Sequence, residues 1–120
     1  MLYTLEGKRI LDVPYKKDYD QWRPRLNDKD YDQIVEALND HIEGDEIHTS
    51  SFIPGHDWRG TVYEPIWHAC NHNDTRAALF YGLILYKVMI EHPESWICGK
   101  FEMNGKKLKG TTYFKAKNLP

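Results

Sequence analysis

The chain has 120 residues, a length that suits one domain with a single core of limited size. Its hydrophobic share of 41% and charged share of 28% lie near globular values, and no repeat or low-complexity run interrupts it. A formal net charge of −2 excludes a global electrostatic pull toward nucleic acid or acidic membranes.

The N-terminal residues carry no basic-then-apolar leader, and two cysteines do not make a disulfide framework. Both points predict a cytoplasmic protein with free thiols at Cys70 and Cys98. Residues 2–13 read as a hairpin: Leu2 to Leu5 and Arg9 to Val13 are strand-like, Glu6-Gly7-Lys8 turns, and Pro14 ends the pairing. Residues 14–27 have two prolines, mixed charge and no clean period, which predicts a loop. Its Tyr15, Tyr19 and Trp22 alternate with Lys16, Lys17, Arg23 and Arg25, a pattern able to stack bases and hold phosphates. Asp18 and Asp20 dilute that patch, so nucleic-acid binding is the weakest of the functional readings.

Residues 28–43 predict an amphipathic helix, with Tyr31, Ile34, Val35, Leu38 and Ile42 on one face. Asn27 is the expected N-cap and Gly44 the expected stop. Residues 46–53 fit a short strand, followed by a Pro54-Gly55 turn. Residues 74–91 predict the central helix. Between Ala77 and Ile90 the only charge is Lys87, and Pro93 stops the run below the ~20 apolar residues a membrane span needs. Such a helix must be covered all round. Asp74 is its expected N-cap, and Gly82 is expected where another backbone crosses closely.

Residues 95–116 predict a second hairpin around Asn104-Gly105. Counting outward pairs Met103 with Lys106, Glu102 with Lys107, Phe101 with Leu108, Ile97 with Thr112 and Trp96 with Tyr113. Ile97, Phe101, Met103, Leu108 and Phe114 would then cover the central helix, leaving Trp96 and Tyr113 outside. The predicted fold class is α+β over residues 1–120: an antiparallel sheet of N- and C-terminal hairpins on the 74–91 helix, with the 28–43 helix completing the cover.

The densest reactive stretch is 56–73. Pro65 suits the first turn of a short helix over about 65–72; a helix from Thr61 kinked at Pro65 is the alternative. Glu64, His68 and His72 follow one another at four-residue spacing, which on a continuous helix makes one metal-binding face with an open position. This supports a small metal-dependent hydrolase as the alternative function. Pro65 disturbs that face, and no glutamate stands beside His68, so no metal, cofactor or catalytic residue is the primary expectation. Cys70 at a helix C-terminus and Cys98 in a strand lack the positive surroundings that activate a thiol. No phosphate-cradling loop, paired CxxC, GxSxG or dinucleotide fingerprint occurs.

Four tryptophans and eight tyrosines exceed what so small a core needs. Trp58, Arg59, Trp22, Trp96 and Tyr113 are therefore the expected contact residues of a non-enzymatic binding module. Residues 28–48 carry a local charge of −7 and residues 96–120 one of +5. The exposed Trp96–Tyr113 patch, rimmed by these blocks, predicts a homodimer with no membrane partner.

Overall fold

The computed structural model describes residues 1–43, 47–49, 58–99, 102–103, 106–107 and 112–115, with the backbone alone at 47–49, 102–103, 106–107 and 112. The class is α+β, as the sequence predicts. The expected stop at Gly44, both two-residue turns, and the side chains of Phe101, Met103 and Leu108 lie outside the described residues.

Four helices carry most of the core. Helix α1 spans Lys16–Trp22, and a short 3₁₀ turn follows at Arg23–Arg25. Helix α2 spans Asp28–Ile42, α3 Glu64–Ala69 and α4 Asp74–Glu91. The 14–27 stretch is thus helical where the sequence predicts a loop. Tyr19 and Trp22, three apart, both meet Phe80 of α4, at ring-centroid distances of 6.1 and 5.7 Å. Tertiary burial of that pair outweighs the weak local signal. Pro24 sits at the start of the 3₁₀ turn, where its missing N–H leaves nothing unpaired.

Helix α2 begins as predicted, with the Asn27 side chain accepting from the Asp30 N–H at 2.7 Å. It buries Ile34, Leu38 and Ile42. Helix α4 differs at its start: the cap is Asn73, whose side chain accepts from the Arg76 N–H at 3.0 Å, and Asp74 lies inside the first turn. Eight α4 residues are buried, but Leu79 is 36% exposed and Gly82, Tyr86 and Ile90 are only half-buried, so one stripe is incompletely covered. A Cβ built at Gly82 meets nothing within 4 Å among the described residues, so no described backbone crosses there.

The main sheet has five strands in the order β2-β1-β4-β7-β3. Strands β1 (Leu2–Tyr3) and β2 (Arg9–Ile10) form the N-terminal hairpin, turned by Gly7 at φ 85°. Strand β3 is Ile47–Thr49, β4 is Trp96–Gly99 and β7 is Thr112–Lys115. Strands β5 (Glu102–Met103) and β6 (Lys106–Lys107) pair separately in the predicted register. The sheet is mixed, which corrects the antiparallel expectation: β1 runs parallel to β4, with Leu2 beside Trp96. A parallel pair needs a crossover, and the helices supply it.

The β4–β7 register also differs from the sequence count. Trp96 pairs with Lys115 and Cys98 with Tyr113, two residues beyond the expected Trp96–Tyr113 pair. The count slips because four residues separate β6 from β7 and only two separate β4 from β5. A shift of two keeps every side chain on its face. The faces themselves are the reverse of the expectation. Trp96 and Tyr113 are 0% and 1% exposed, while Ile97 and Phe114 are half-buried. Pairing to both β1 and β7 makes β4 an interior strand, and its large aromatic turns toward α4. There Tyr86 meets Tyr113 edge-on at 6.3 Å, and its hydroxyl lies 3.8 Å from Cys98 Sγ. The buried hydrophobic residues described, Val13 excepted, form one continuous cluster from Leu2 to Tyr113. No helix among the described residues is long and apolar enough to cross a membrane.

Candidate functional site at the turn from α3 to α4

Helix α3 begins at Glu64-Pro65, and its apolar stripe is Ile66, Ala69 and Cys70, all buried. That stripe fixes the outward face as Glu64, Trp67 and His68. The helix ends in two consecutive left-handed residues, Asn71 at φ 54° and His72 at φ 60°. The Asn71 N–H donates to the His68 carbonyl at 3.1 Å and the His72 N–H to the Trp67 carbonyl at 2.9 Å. These are the paired closing bonds of a Schellman end, with asparagine where glycine is commonest. The apolar contact that usually accompanies it is here the Trp67–His72 ring pair, 4.2 Å apart and tilted by 31°. Arg25 Nη1 braces the same end by donating to the Ala69 carbonyl at 3.0 Å.

The turn therefore brings Glu64, His68 and His72 together, though not on one continuous helix. His68 Nδ1 stands 2.7 Å from His72 Nε2. On the other side of the same ring, His68 Nε2 is 3.5 Å from Glu64 Oε2. Glu64 and His72 thus address opposite nitrogens of His68 and do not converge on one point. No group of three or more metal-ligating side chains occurs among the described residues. The Glu64 carboxylate also accepts from the Gly60 N–H at 3.3 Å, and Trp67 Nε1 donates to Asp74 Oδ1 at 3.0 Å. The assembly is accessible: the His68 side chain is 54% exposed.

The five expected contact residues do not meet at a surface. Trp22, Trp58, Trp96 and Tyr113 are each 5% exposed or less, which removes them as anchors. Trp58 packs edge-on to Tyr81 at 6.2 Å, while its neighbour Arg59 is exposed. Tyr63 packs on the same Tyr81 ring at 5.2 Å, and its buried hydroxyl makes no hydrogen bond of regular geometry to a described residue, Tyr81 being the phenol it interacts with. Part of the base-stacking pattern of 15–25 is taken up within the fold, while Tyr15, Lys16, Lys17 and Arg25 stay exposed. The Tyr19 hydroxyl bonds that of Tyr31 at 2.9 Å, Arg23 lies 3.8 Å over the Tyr31 ring, and Lys16 pairs with Asp12 at 2.9 Å. Burial pushes the Cys70 thiol up to about 11 and raises that of Cys98, so neither is an activated nucleophile.

Trp67 and Asp74 are the site residues that sequence reasoning missed. The signal was available: placing Ile66, Ala69 and Cys70 inward leaves Trp67 beside His68 on the outer face. Comparison with protein-family models, with curated proteins and with solved structures found no match for this chain.

Proposed function

We propose that the protein is a non-enzymatic binding module whose contact surface is the corner where α3 turns into α4. The observation that carries this reading is the sorting of the tryptophans: three are buried, and Trp67 alone keeps an accessible face, ringed by exposed His68, His72 and Asp74. Tryptophan in such a setting is the commonest kind of binding anchor. The partner is a second copy of the chain. The corner carries carboxylates at Glu64 and Asp74 beside the imidazoles of His68 and His72, so two copies related by a two-fold axis present complementary groups to each other. Sedimentation at micromolar concentration should give about twice the 14.2 kDa chain mass, and Trp67→Glu should return it to one. A monomeric native chain would overturn this choice of partner.

A metal-dependent hydrolase on the same face is the second reading, favoured by the contiguity of Glu64, His68 and His72. It ranks below the first because a hydrolytic centre wants three ligands around one open position. Here the carboxylate and the second imidazole lie on opposite sides of His68. Cleavage of a p-nitrophenyl ester in the presence of zinc, abolished in His68→Ala, would reverse the ranking.

A further inference from the structure

We propose that the loop joining β2 to α1 docks on an anionic lipid surface, with Leu11 and Tyr15 entering the bilayer interface and the cations beside them meeting the headgroups. Leu11 is 73% exposed and Tyr15 65%, the highest values among the large apolar residues described. Between them Val13 is buried and anchors the middle of the loop. The ion pair of Lys16 with Asp12 at 2.9 Å ties the flanks together. Leu11 and Tyr15 are thus presented on either side of a held residue. Tyr15 does little for the fold. Its backbone is left-handed, at φ 51° and ψ 43°, a conformation that a bulky side chain resists and glycine takes without strain. It precedes α1, yet its side chain makes no capping bond. A strained residue that neither caps nor packs is accounted for by a contact outside the chain.

Charge selects the occupant. Residues 8–17 hold Lys8, Arg9, Lys16 and Lys17 against Asp12 alone. Lys16 is taken up by Asp12, whereas Lys8, Arg9 and Lys17 are exposed and enter no ion pair among the described residues. Arg9 shares an outward face with Leu11, because Ile10 between them packs on the core. An anionic bilayer suits this set and asks for no matching shape. Leucine reaches the acyl chains, tyrosine settles at the interface, and lysine and arginine keep their charges among the headgroups. The net charge of −2 hides the patch, because acids gather on α2. Charges farther than about 8 Å from a headgroup are largely screened from it.

Co-sedimentation of the full chain with vesicles tests this. At low salt, phosphatidylcholine vesicles containing about one third phosphatidylserine should bind it about tenfold more tightly than phosphatidylcholine alone, and added sodium chloride should erase the difference. Leu11→Ser with Tyr15→Gly should weaken binding to the anionic vesicles by about tenfold, and Lys8→Gln with Lys17→Gln by about as much. All four side chains are exposed, and circular dichroism of each double variant checks that the fold is kept. Equal binding to the two vesicles, binding to neither, or unchanged binding in either double variant would overturn the proposal. Tighter binding of a single-stranded oligonucleotide at the same salt would overturn it in favour of nucleic acid. The patch shares no residue with the corner between α3 and α4, so the outcome is separate from that of the self-association experiment.

Discussion

Trp22 and Trp67 stand on two short helices of the same chain and meet opposite fates. Helix α1 has no aliphatic stripe of its own, so Tyr19 and Trp22 are the residues it can bury, and both turn onto Phe80. Helix α3 has Ile66, Ala69 and Cys70 to bury, and these rotate Trp67 outward onto His72. Residue type alone does not decide which tryptophan is available to a partner. The competition among a helix's own side chains for the inward face decides it.

The comparison can be broken most directly at Trp22. Trp22→Ala should cost about 3–5 kcal/mol of stability, the range for deleting a buried aromatic, read as a fall in the chemical denaturation midpoint. Trp67→Ala should cost about 1 kcal/mol, since it removes one partly exposed ring contact and the bond to Asp74. Equal losses in the two variants would show that the two sites are not distinguished as described. Helix α4, which Trp22 covers from one side, sharpens the point from its less covered stripe. Gly82→Ala should raise stability by up to about 1 kcal/mol, because the helix gains a better former and the new methyl meets no described atom within 4 Å. A loss there would mean that something does pack on Gly82.

The smallest effect separates a half-buried imidazole from the exposed pair. Burial, with the amino terminus and Lys115 nearby, holds the His92 imidazole below its usual 6.5, against the opposing pull of Glu94. Its Nδ1 accepts from the Glu94 N–H at 3.0 Å and from Trp96 Nε1 at 3.4 Å, which only the bare nitrogen can do. The depressed value means that His92 favours the fold when neutral. Its contribution is present above the usual histidine range and is lost as pH falls through the lowered folded-state value. The drop in thermal midpoint between about pH 7.5 and about pH 5 should therefore shrink in His92→Gln, and an unchanged drop would assign the acid sensitivity elsewhere.

Legibility in the sequence followed the length of each pattern. Helices α2 and α4 each carry several turns of consistent spacing, and both appear within a residue of the predicted bounds. The Asn104-Gly105 count fixed the β5–β6 register and then failed at β4–β7, because nothing in a hairpin count reveals connections of unequal length further out. Burial of Trp96 depended on Leu2 arriving alongside from the far end of the chain, a contact that no local window contains. At the corner, the four-residue spacing of Glu64, His68 and His72 correctly grouped the three residues. It gave the wrong geometry, since the left-handed pair at Asn71 and His72 replaces the assumed helical turn.

The parallel pairing of β1 with β4 sets an order on synthesis of the chain. Leu2 is made before its neighbour Trp96, which follows only after the whole helical segment between them. At about 5–20 residues per second, the N-terminal hairpin waits on the order of ten seconds with one edge unpaired. Helices α1 and α2 are made early in that interval but pack on α4, which is complete only just before β4, so helix docking and sheet closure follow late and together. Strand β1 is thus exposed to mispairing until β4 is made, and its length of two residues limits the edge on offer.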